Sequence, residues 1–351
     1  MRLKISRKVK IVTIFMLITF AGSSKGLAQS QDAKLKHGNG DIISLWFTDG
    51  GSHLLSASWD GTIAKWNLTT GGRSGFLDLD EKKSEHKETI SHVRQMAVSS
   101  AGDLISISYS QTSVVNKVLQ SDKVNRIALI DPVNLRVKTI LSNDDSEFVF
   151  SPDGKTLVTV GPEKMARIWS TNDGKEIKRF SVKKIGKPLF GSEGKLVVAA
   201  AVGWDNAGPM IAVYDLISGK IVQEIPERLG QITGIAVSAN GRSLAVGGYN
   251  GGIRSLRIWD LSQRTPKNNP LNLLLPESQL TYNMVFSADG GLLASSGVST
   301  CCEMVAVWAM SGNQTRKNIK ALGDVKSLAF SPDGKHIAYG TSKGEIVVLK
   351  L

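Results

Sequence analysis

The segment SASWDGTIAKWNLTTG, residues 56–71, places two short apolar stretches on either side of a Trp-Asp-Gly turn. Looser copies follow as VTVGPEKMARIWSTNDGK, residues 158–175, and AVGGYNGGIRSLRIWDLSQ, residues 245–263. A unit that recurs along a chain indicates a repeat architecture, in which every copy folds into the same small structure. The segment therefore predicts a fold built from repeated strand hairpins.

A tight turn between two short apolar strands occurs seven times along the chain. The turns are FTDGGS (47–52), VSSAGD (98–103), FSPDGK (150–155), FGSEGK (190–195), VSANGR (237–242), FSADGG (286–291) and FSPDGK (330–335). Asp-Gly, Asn-Gly and related pairs supply the positive φ angle that a short antiparallel turn needs. The sequence therefore predicts seven equivalent hairpins.

A third strand follows each hairpin and ends on a bulky residue. These residues are Trp66, Ile130, Trp169, Tyr214, Trp259, Trp308 and Leu349. Their spacing, roughly 40 to 50 residues with one wider interval, is that of four-stranded propeller blades. We expect these bulky side chains to pack between neighbouring blades, because one sheet cannot bury both of its faces alone.

These motifs resemble the WD-repeat β-propeller family over residues 32–351. The resemblance is carried by SASWDGTIAKW, by RIWD at 257–260 and by the two FSPDGK turns. It implies an all-β fold with seven blades, each a four-stranded antiparallel sheet. The Gly-His pair that usually opens a repeat is inverted at His37, which leaves open whether a buried histidine-to-aspartate hydrogen-bond network is present.

The ring of blades has to be closed. The last unit ends in EIVVLKL, residues 345–351, and has no fourth strand of its own. We expect residues 32–38, DAKLKHG, to provide this strand. Pairing the two ends of the chain in one sheet would remove an open edge that invites aggregation.

The first residues differ from the rest of the chain. A basic stretch, an apolar run at 11–22 and small residues up to Ala28 are typical of a cleaved secretory signal, with a retained membrane anchor as the alternative. Residues 1–28 carry six basic and no acidic side chains, so their removal lowers the net charge from +12 to +6. We expect an exported monomer, periplasmic or extracellular, with one propeller domain at 29–351, no membrane span after cleavage and no nucleic-acid partner.

The resemblance implies that the loops between second and third strands, and between successive blades, lie on one face, here called the long-loop face. Several of these loops are long, and long loops in a compact domain are often functional. We expect a protein or peptide partner to bind there; the alternative is that these side chains pack within their own blades or form an extra hairpin. The candidate residues are Trp59, Asp60, Tyr109, Val115, Leu119, Trp204, Asp205, Asn206, Tyr249 and Asn250.

The sequence gives little support for catalysis. No nucleophile motif, phosphate-binding glycine loop or metal-ligand spacing is present, so no catalytic residue, metal or cofactor is predicted. The acidic run at 142–147 is interpreted as a turn or solvated loop. Cys301 and Cys302 are adjacent and form a possible redox pair, as a strained disulfide or as free thiols. A secreted hydrolase or lyase and a structural envelope subunit are the alternative functions.

Overall fold

The computed structural model describes residues 32–351 except 81, 85–86, 116–117, 120–123, 144, 146, 184–185, 192–194, 201–209, 226–230, 251–252, 263–270, 274–280, 299–302 and 312–313. The described secondary structure consists of β-strands and a 3-10 turn at Asp49–Gly51. The strands pair into seven antiparallel sheets. These sheets belong to one compact unit, Gln31–Leu351. In the described part of the chain, no helix is long and apolar enough to span a membrane.

The sheets of blades one, three and four follow the chain in order, each with its first strand at one edge and its fourth at the other. The chain enters through β1 (Ala33–Lys36). Blade one contains β2 (Ile42–Thr48), β3 (His53–Ser58), β4 (Thr62–Asn67) and β5 (Arg73–Asp78). Blade two contains β6 (Lys82–Ser84), β7 (Lys87–Val98), β8 (Ile105–Val115), β9 (Val118–Leu119), β10 (Val124–Asp131) and β11 (Arg136–Asn143). Blade three contains β12 (Glu147–Phe150), β13 (Thr156–Val160), β14 (Met165–Ser170) and β15 (Glu176–Ser181), and blade four β16 (Lys187–Phe190), β17 (Leu196–Ala200), β18 (Met210–Tyr214) and β19 (Ile221–Ile225).

The last three sheets repeat the same order. Blade five contains β20 (Gln231–Val237), β21 (Ser243–Asn250), β22 (Ile253–Asp260) and β23 (Leu271–Leu273). Blade six contains β24 (Met284–Phe286), β25 (Leu292–Val298), β26 (Glu303–Ala309) and β27 (Gln314–Lys320). Blade seven contains β28 (Val325–Phe330), β29 (His336–Thr341) and β30 (Glu345–Lys350), with β1 as its fourth strand.

The seven sheets form a closed ring. The first strand of every blade contacts the first strand of the next, and β28 returns to contact β2. The first strands therefore surround a central channel, and the fourth strands lie at the circumference. The predicted seven-bladed β-propeller is confirmed.

The N-terminal strand closes the ring as predicted. β1 pairs with β30 in antiparallel register, with Ala33 opposite Val348 and Leu35 opposite Ile346. Leu35 is buried in the cluster of side chains between blades seven and one. Blade seven is thus built from both ends of the described chain.

The hydrophobic core lies between the blades. Seven clusters of buried side chains each combine residues from two neighbouring blades, one cluster at each interface. The bulky third-strand residues Trp66, Trp169, Tyr214, Trp259 and Trp308 are all buried in these clusters. Their predicted role in packing is confirmed, since each blade covers a face that its neighbour cannot shield from water.

The hairpin turns have the conformation that their sequences predict. Gly154, Gly241, Gly290 and Gly334 have φ angles of 69°, 69°, 70° and 66°. In each of these turns a serine hydroxyl donates a hydrogen bond to the Asp or Asn side chain two residues later, over 2.5–2.7 Å. This local bond holds the turn closed and accounts for the recurrence of Ser-x-Asp-Gly.

Blade two has two short strands beyond the usual four. β6 pairs with the beginning of β7, so part of the charged stretch at 78–88 extends the sheet. β9 pairs with the end of β8, which places Val114 opposite Leu119 and Val115 opposite Val118. The loop therefore folds back as an extra hairpin, one of the two alternatives that the sequence left open.

Candidate functional site on the long-loop face

The long-loop face is the end of the ring at which the first strand of each blade begins and the second strand ends. In blade one, the Trp59 amide, just after β3, donates to the Asp41 carbonyl, just before β2, over 2.9 Å. In blade five, Gln231 pairs with Tyr249 at the same end. Residues from the ends of several different strands thus share this face.

Trp59 is the most prominent of the predicted residues that the structure describes. Its side chain is 50% exposed, and its ring stacks on that of His92 in blade two, with centroids 3.8 Å apart and planes at 14°. The Asp60 carboxylate accepts hydrogen bonds from the Thr62 hydroxyl and amide, over 2.5 and 3.2 Å. Asp60 therefore shapes the turn that presents Trp59.

The other predicted residues have different surroundings. Tyr109 is buried in the core between blades one and two, so its ring is not exposed on the face. Val115 is partly exposed near the tip of the extra hairpin, and Leu119 lies on β9. Tyr249 is exposed, and Asn250 pairs with Ile253 at the end of a long hairpin. Trp204, Asp205, Asn206, Cys301 and Cys302 lie outside the described residues.

Two further exposed residues lie on this face. Tyr282, 44% exposed, precedes β24, and Leu322, 49% exposed, precedes β28. Neither belongs to an unusual motif. The signal that could have found them is their position, since a bulky side chain just before a predicted first strand has no blade interior to occupy.

A chain of hydrogen bonds beneath Trp59 joins four side chains of blade one to His37, which directly follows β1. The indole N–H of Trp66 donates to the Ser56 hydroxyl over 2.8 Å, and Ser56 Oγ lies 2.7 Å from His37 Nδ1. His37 Nε2 lies 2.8 Å from the Thr62 hydroxyl, which donates to Asp60. A neutral imidazole protonated at Nε2 satisfies every bond in this order.

The electrostatics of His37 agree with that assignment. Burial lowers the pKa of His37 to about 4, outweighing the opposing effect of the nearby Asp60 carboxylate. The imidazole therefore stays neutral at physiological pH. The sequence left open whether a histidine-to-aspartate hydrogen-bond network is present. The network is present here, and the Thr62 hydroxyl links His37 to Asp60.

Blade three contains a related network that ends on a buried acid. The Trp169 indole donates to the Thr159 hydroxyl over 3.0 Å, and Thr159 donates to Asp145 over 2.5 Å. Arg167 Nη1 donates to the other Asp145 oxygen over 2.5 Å. Asp145 is 0% exposed, so its interpretation as a solvated residue is wrong. It takes the place that His37 occupies in blade one.

The first strands carry a second set of bonds that link neighbouring blades around the channel. In five blades a polar side chain on the first strand, or just before it, bonds to the backbone of the next blade. The donors are Ser44 to the Met96 carbonyl, Gln95 to Phe148, Thr233 to Thr281, Asn283 to Val325 and Ser327 to Ile42. These bonds hold the inner strands together, because the backbone there has no ladder partner on that side.

Charged residues replace these linkers in blades three and four. Glu147 and Lys187 begin β12 and β16. Burial raises the pKa of Glu147, opposed by the cations of Lys187 and Arg94. The Lys187 side chain is exposed to the channel yet enclosed by the ring, and this desolvation lowers its pKa, opposed by Glu147. The mouth of the channel on the long-loop face is therefore charged.

The opposite face has a cleft of about 710 Å³ between blades two and three. Asp103, Asp153, Asp173, Lys138 and Lys155 contribute to its walls. Asp153 is engaged by Ser151 and by the Lys155 amide, which lower its pKa and hold it in its turn. Across the described residues, no three His, Cys, Asp or Glu side chains are grouped so as to hold a metal ion.

Comparisons with known proteins agree with this geometry. The model of the family "WD domain, G-beta repeat" matches residues 30–67. The chain is 23% identical over 185 residues to a WD repeat-containing protein, SL1-17, of Schistosoma mansoni, an alignment covering 51% of this chain and 56% of that protein. It is 24% identical over 206 residues to apoptotic protease-activating factor 1 of Rattus norvegicus, covering 56% of this chain and 15% of that protein. The chain thus spans only part of the length of these relatives.

The fold also matches a solved structure. The structure titled "Structure of U3-55K" has a TM-score of 0.69 to this chain at 17% identity, covering 91% of this chain and 98% of that one. At this level of identity the likeness concerns the fold alone. This likeness in fold covers almost the whole ring.

Proposed function

We propose that this chain, which is a WD-repeat β-propeller, is a scaffold that binds a protein or peptide partner through its long-loop face. The observation that carries the proposal is the set of large side chains exposed there. Trp59, Tyr249, Tyr282 and Leu322 come from blade one, blade five and the segments entering blades six and seven. Trp and Tyr are the residues most often found at the centres of protein interfaces.

The backbone that presents these residues supports the proposal. Trp59 is fixed by its amide bond to the Asp41 carbonyl and by its stack on His92. Tyr282 is fixed by its amide bond to the Ser296 carbonyl. Because these anchors are ordered before binding, a partner that contacts them loses little conformational entropy at this surface.

We also propose that the scaffold is not an enzyme. The acids of the cleft on the opposite face are occupied in part by turn hydrogen bonds, as with Asp153 and Ser151. The buried His37 is fully engaged with Ser56 and Thr62. A general base has to reach a substrate proton directly or through one water, and His37 has both nitrogens committed.

Export is proposed from the sequence of residues 1–28. The basic, apolar and small-residue regions follow one another in the order of a secretory signal. Mass spectrometry of the protein purified from its own cells should find an N-terminus at Gln29. An intact N-terminus beginning at Met1 would contradict cleavage.

Site-specific crosslinking tests the binding surface. A photoreactive p-benzoylphenylalanine replaces Trp59 or Tyr282 in one pair of variants, and Phe76 or Ile177 in a second pair. Phe76 and Ile177 are exposed on the outermost strands of blades one and three and serve as matched controls. We expect the two variants on the long-loop face to crosslink to the same protein in the producing cells, and the two rim variants not to do so.

Two results would contradict the proposal. Crosslinks that form only from Phe76 or Ile177 would move the binding surface to the rim. Absence of protein crosslinks from both Trp59 and Tyr282, with the variants folded and present in the same compartment as the wild type, would rule out a protein partner on this face.

A further inference from the structure

The second strand of blade two, β8, carries three serines on one face. Ser106, Ser108 and Ser110, here called the serine row, alternate along the strand with larger side chains that face blade one. Ser106 pairs with Leu129 and Ser108 with Ile127, and both partners belong to the buried cluster between blades two and three. Paired residues share a face of the sheet, so the serine row faces blade three.

The hydroxyls of the serine row are enclosed in this interface. Each of the three side chains is at most 1% exposed. None of the three hydroxyls has a hydrogen-bond partner among the residues that the structure describes, and the same holds for the amide oxygen of Asn125, which pairs directly with Ser110. Four polar groups therefore lie together in one interface, and each costs free energy there unless it is hydrogen-bonded.

The serine row is a property of blade two and not of the repeat. Ser106 pairs with Ala97, the residue just before the one that opens the hairpin turn. The residues that occupy this place in the other six blades are all apolar and buried: Leu55, Val158, Val197, Ala245, Ala294 and Ala338. The repeat thus requires no hydroxyl here, and packing alone does not account for one.

The cleft on the opposite face of the ring leads to the serine row. Leu104 and Leu129 are among the residues that line this cleft. Leu129 pairs directly with Ser106, and Leu104 belongs to the same buried cluster. The wall of the cleft and the first serine of the row are therefore neighbours, which gives water a short path from solvent into the interface.

We infer that blades two and three enclose a row of bound water molecules that bridges the three hydroxyls and the Asn125 amide oxygen. Residues on one face of a strand lie roughly 6.5 Å apart along the serine row. A water molecule with two hydrogen bonds of about 2.8 Å joins oxygens up to about 5.6 Å apart, which neighbouring serines reach by turning their hydroxyls toward each other. Buried waters bind where about two to four such polar groups converge. The site is independent of the proposed partner surface.

A crystal structure of the propeller, at a resolution that shows ordered water, tests the inference directly. We expect water oxygens about 2.7–3.2 Å from the hydroxyls of Ser106, Ser108 and Ser110. Hydroxyls that bond only to protein atoms, or an interface in which no water contacts the serine row, would overturn the inference.

Nuclear Overhauser contacts between water and backbone amides test it in solution. We expect contacts with the sign of long-lived bound water at the amides of residues 106–110, and none at residues 55–58 of blade one. Ser56 and Ser58 are also buried serines, so exchange of hydroxyl protons with solvent is represented in both stretches. Contacts of equal strength in the two stretches would show that hydration is general in the ring, and absence from both would show a dry interface; either result contradicts the serine row as a distinct water site.

A triple variant gives a result of opposite sign for a hydrated and a dry interface. S106A/S108A/S110A should melt at a lower temperature than the wild type, because the bound waters lose their partners. If the hydroxyls are instead dry and unpaired, their removal relieves a desolvation cost and the variant should melt at a higher temperature, which would contradict the inference. Ser74→Ala, at an exposed position on β5, measures the intrinsic effect of this substitution in a strand.

Discussion

His37 and Ser56 lie 2.7 Å apart, Nδ1 to Oγ, across the junction between blades seven and one. His37 directly follows β1, the strand that closes blade seven, whereas Ser56 lies on β3 of blade one. One side chain therefore connects ring closure with the turn that presents Trp59. Its protonation state should affect both.

The stability of the propeller should fall as the pH is lowered from about 6.5 to about 4. His37 has a pKa of about 4 in the folded protein, below the 6.5 that is ordinary for a histidine. In this interval the unfolded chain binds a proton that the folded protein does not, so the free energy of unfolding decreases by roughly 3 kcal/mol and then levels off. Above pH 6.5 the histidine is neutral in both states and has no effect.

Denaturant unfolding at several pH values measures this effect. His37→Gln keeps hydrogen-bonding groups near Ser56 and Thr62 but does not titrate. The difference between wild type and variant should shrink steadily between pH 6.5 and 4. A difference that is constant with pH would show that His37 is protonated equally in both states.

Asp145 should be essential for the stability of blade three. Removing one member of a buried ion pair leaves an uncompensated charge, so Asp145→Ala or Arg167→Ala should cost about 3 to 5 kcal/mol. Replacing both, as D145L/R167M, should cost less than Asp145→Ala alone. Glu163, which also contacts Arg167, is 70% exposed, and Glu163→Ala should have little effect. A double variant less stable than both single variants would contradict this account.

The three tryptophans of blades one, three and six offer a comparison of hydrogen bonds within one fold. The indoles of Trp66 and Trp169 donate to Ser56 and Thr159, whereas Trp308 Nε1 and the Ser295 hydroxyl are buried and have no hydrogen-bond partner among the residues that the structure describes. Trp→Phe removes similar volume at each site. Trp66→Phe and Trp169→Phe should therefore each cost about 1 kcal/mol more than Trp308→Phe, measured by chemical denaturation. Equal costs would mean that these hydrogen bonds contribute nothing net.

The closing strand should contribute through its buried side chain. Leu35 is 7% exposed between Ile346 and the core of blade one, so Leu35→Ala should lower the free energy of unfolding by about 2 to 5 kcal/mol. Lys34→Ala, on the exposed side of the same strand, is the matched control.

Removal of residues 32–36 should lower the melting temperature sharply. An unchanged melt after this deletion would show that the ring is stable without β1.

Features that depend on local chemistry could be predicted from the sequence. The turns at Gly154 and Gly334 follow from φ requirements within four residues, and the third-strand aromatic residues follow from repeat spacing. Closure by β1 followed from counting strands, because the last unit lacked one. Trp59 and Tyr249 could be placed on one face since the repeat fixes which strand ends meet there.

Features that depend on contacts between distant segments could not be predicted from the sequence. In the sequence Asp145 is one acid in a polar run, and only the pairing of strands within blade three brings Thr159 and Arg167 next to it. The sequence placed Tyr109 in a loop, but β8 continues through this residue and its ring is buried in the core. Tyr282 and the charged channel mouth required knowing how seven first strands surround one axis.

The pairing of β1 with β30 has a consequence for synthesis on the ribosome. The strand made first in the described chain acquires its partner only when nearly all of the protein has been translated. Until then blade seven is incomplete, and the open edges of the unfinished ring are exposed to neighbouring nascent chains. Retention of β1 by a chaperone during this interval would favour the closed ring over intermolecular strand exchange.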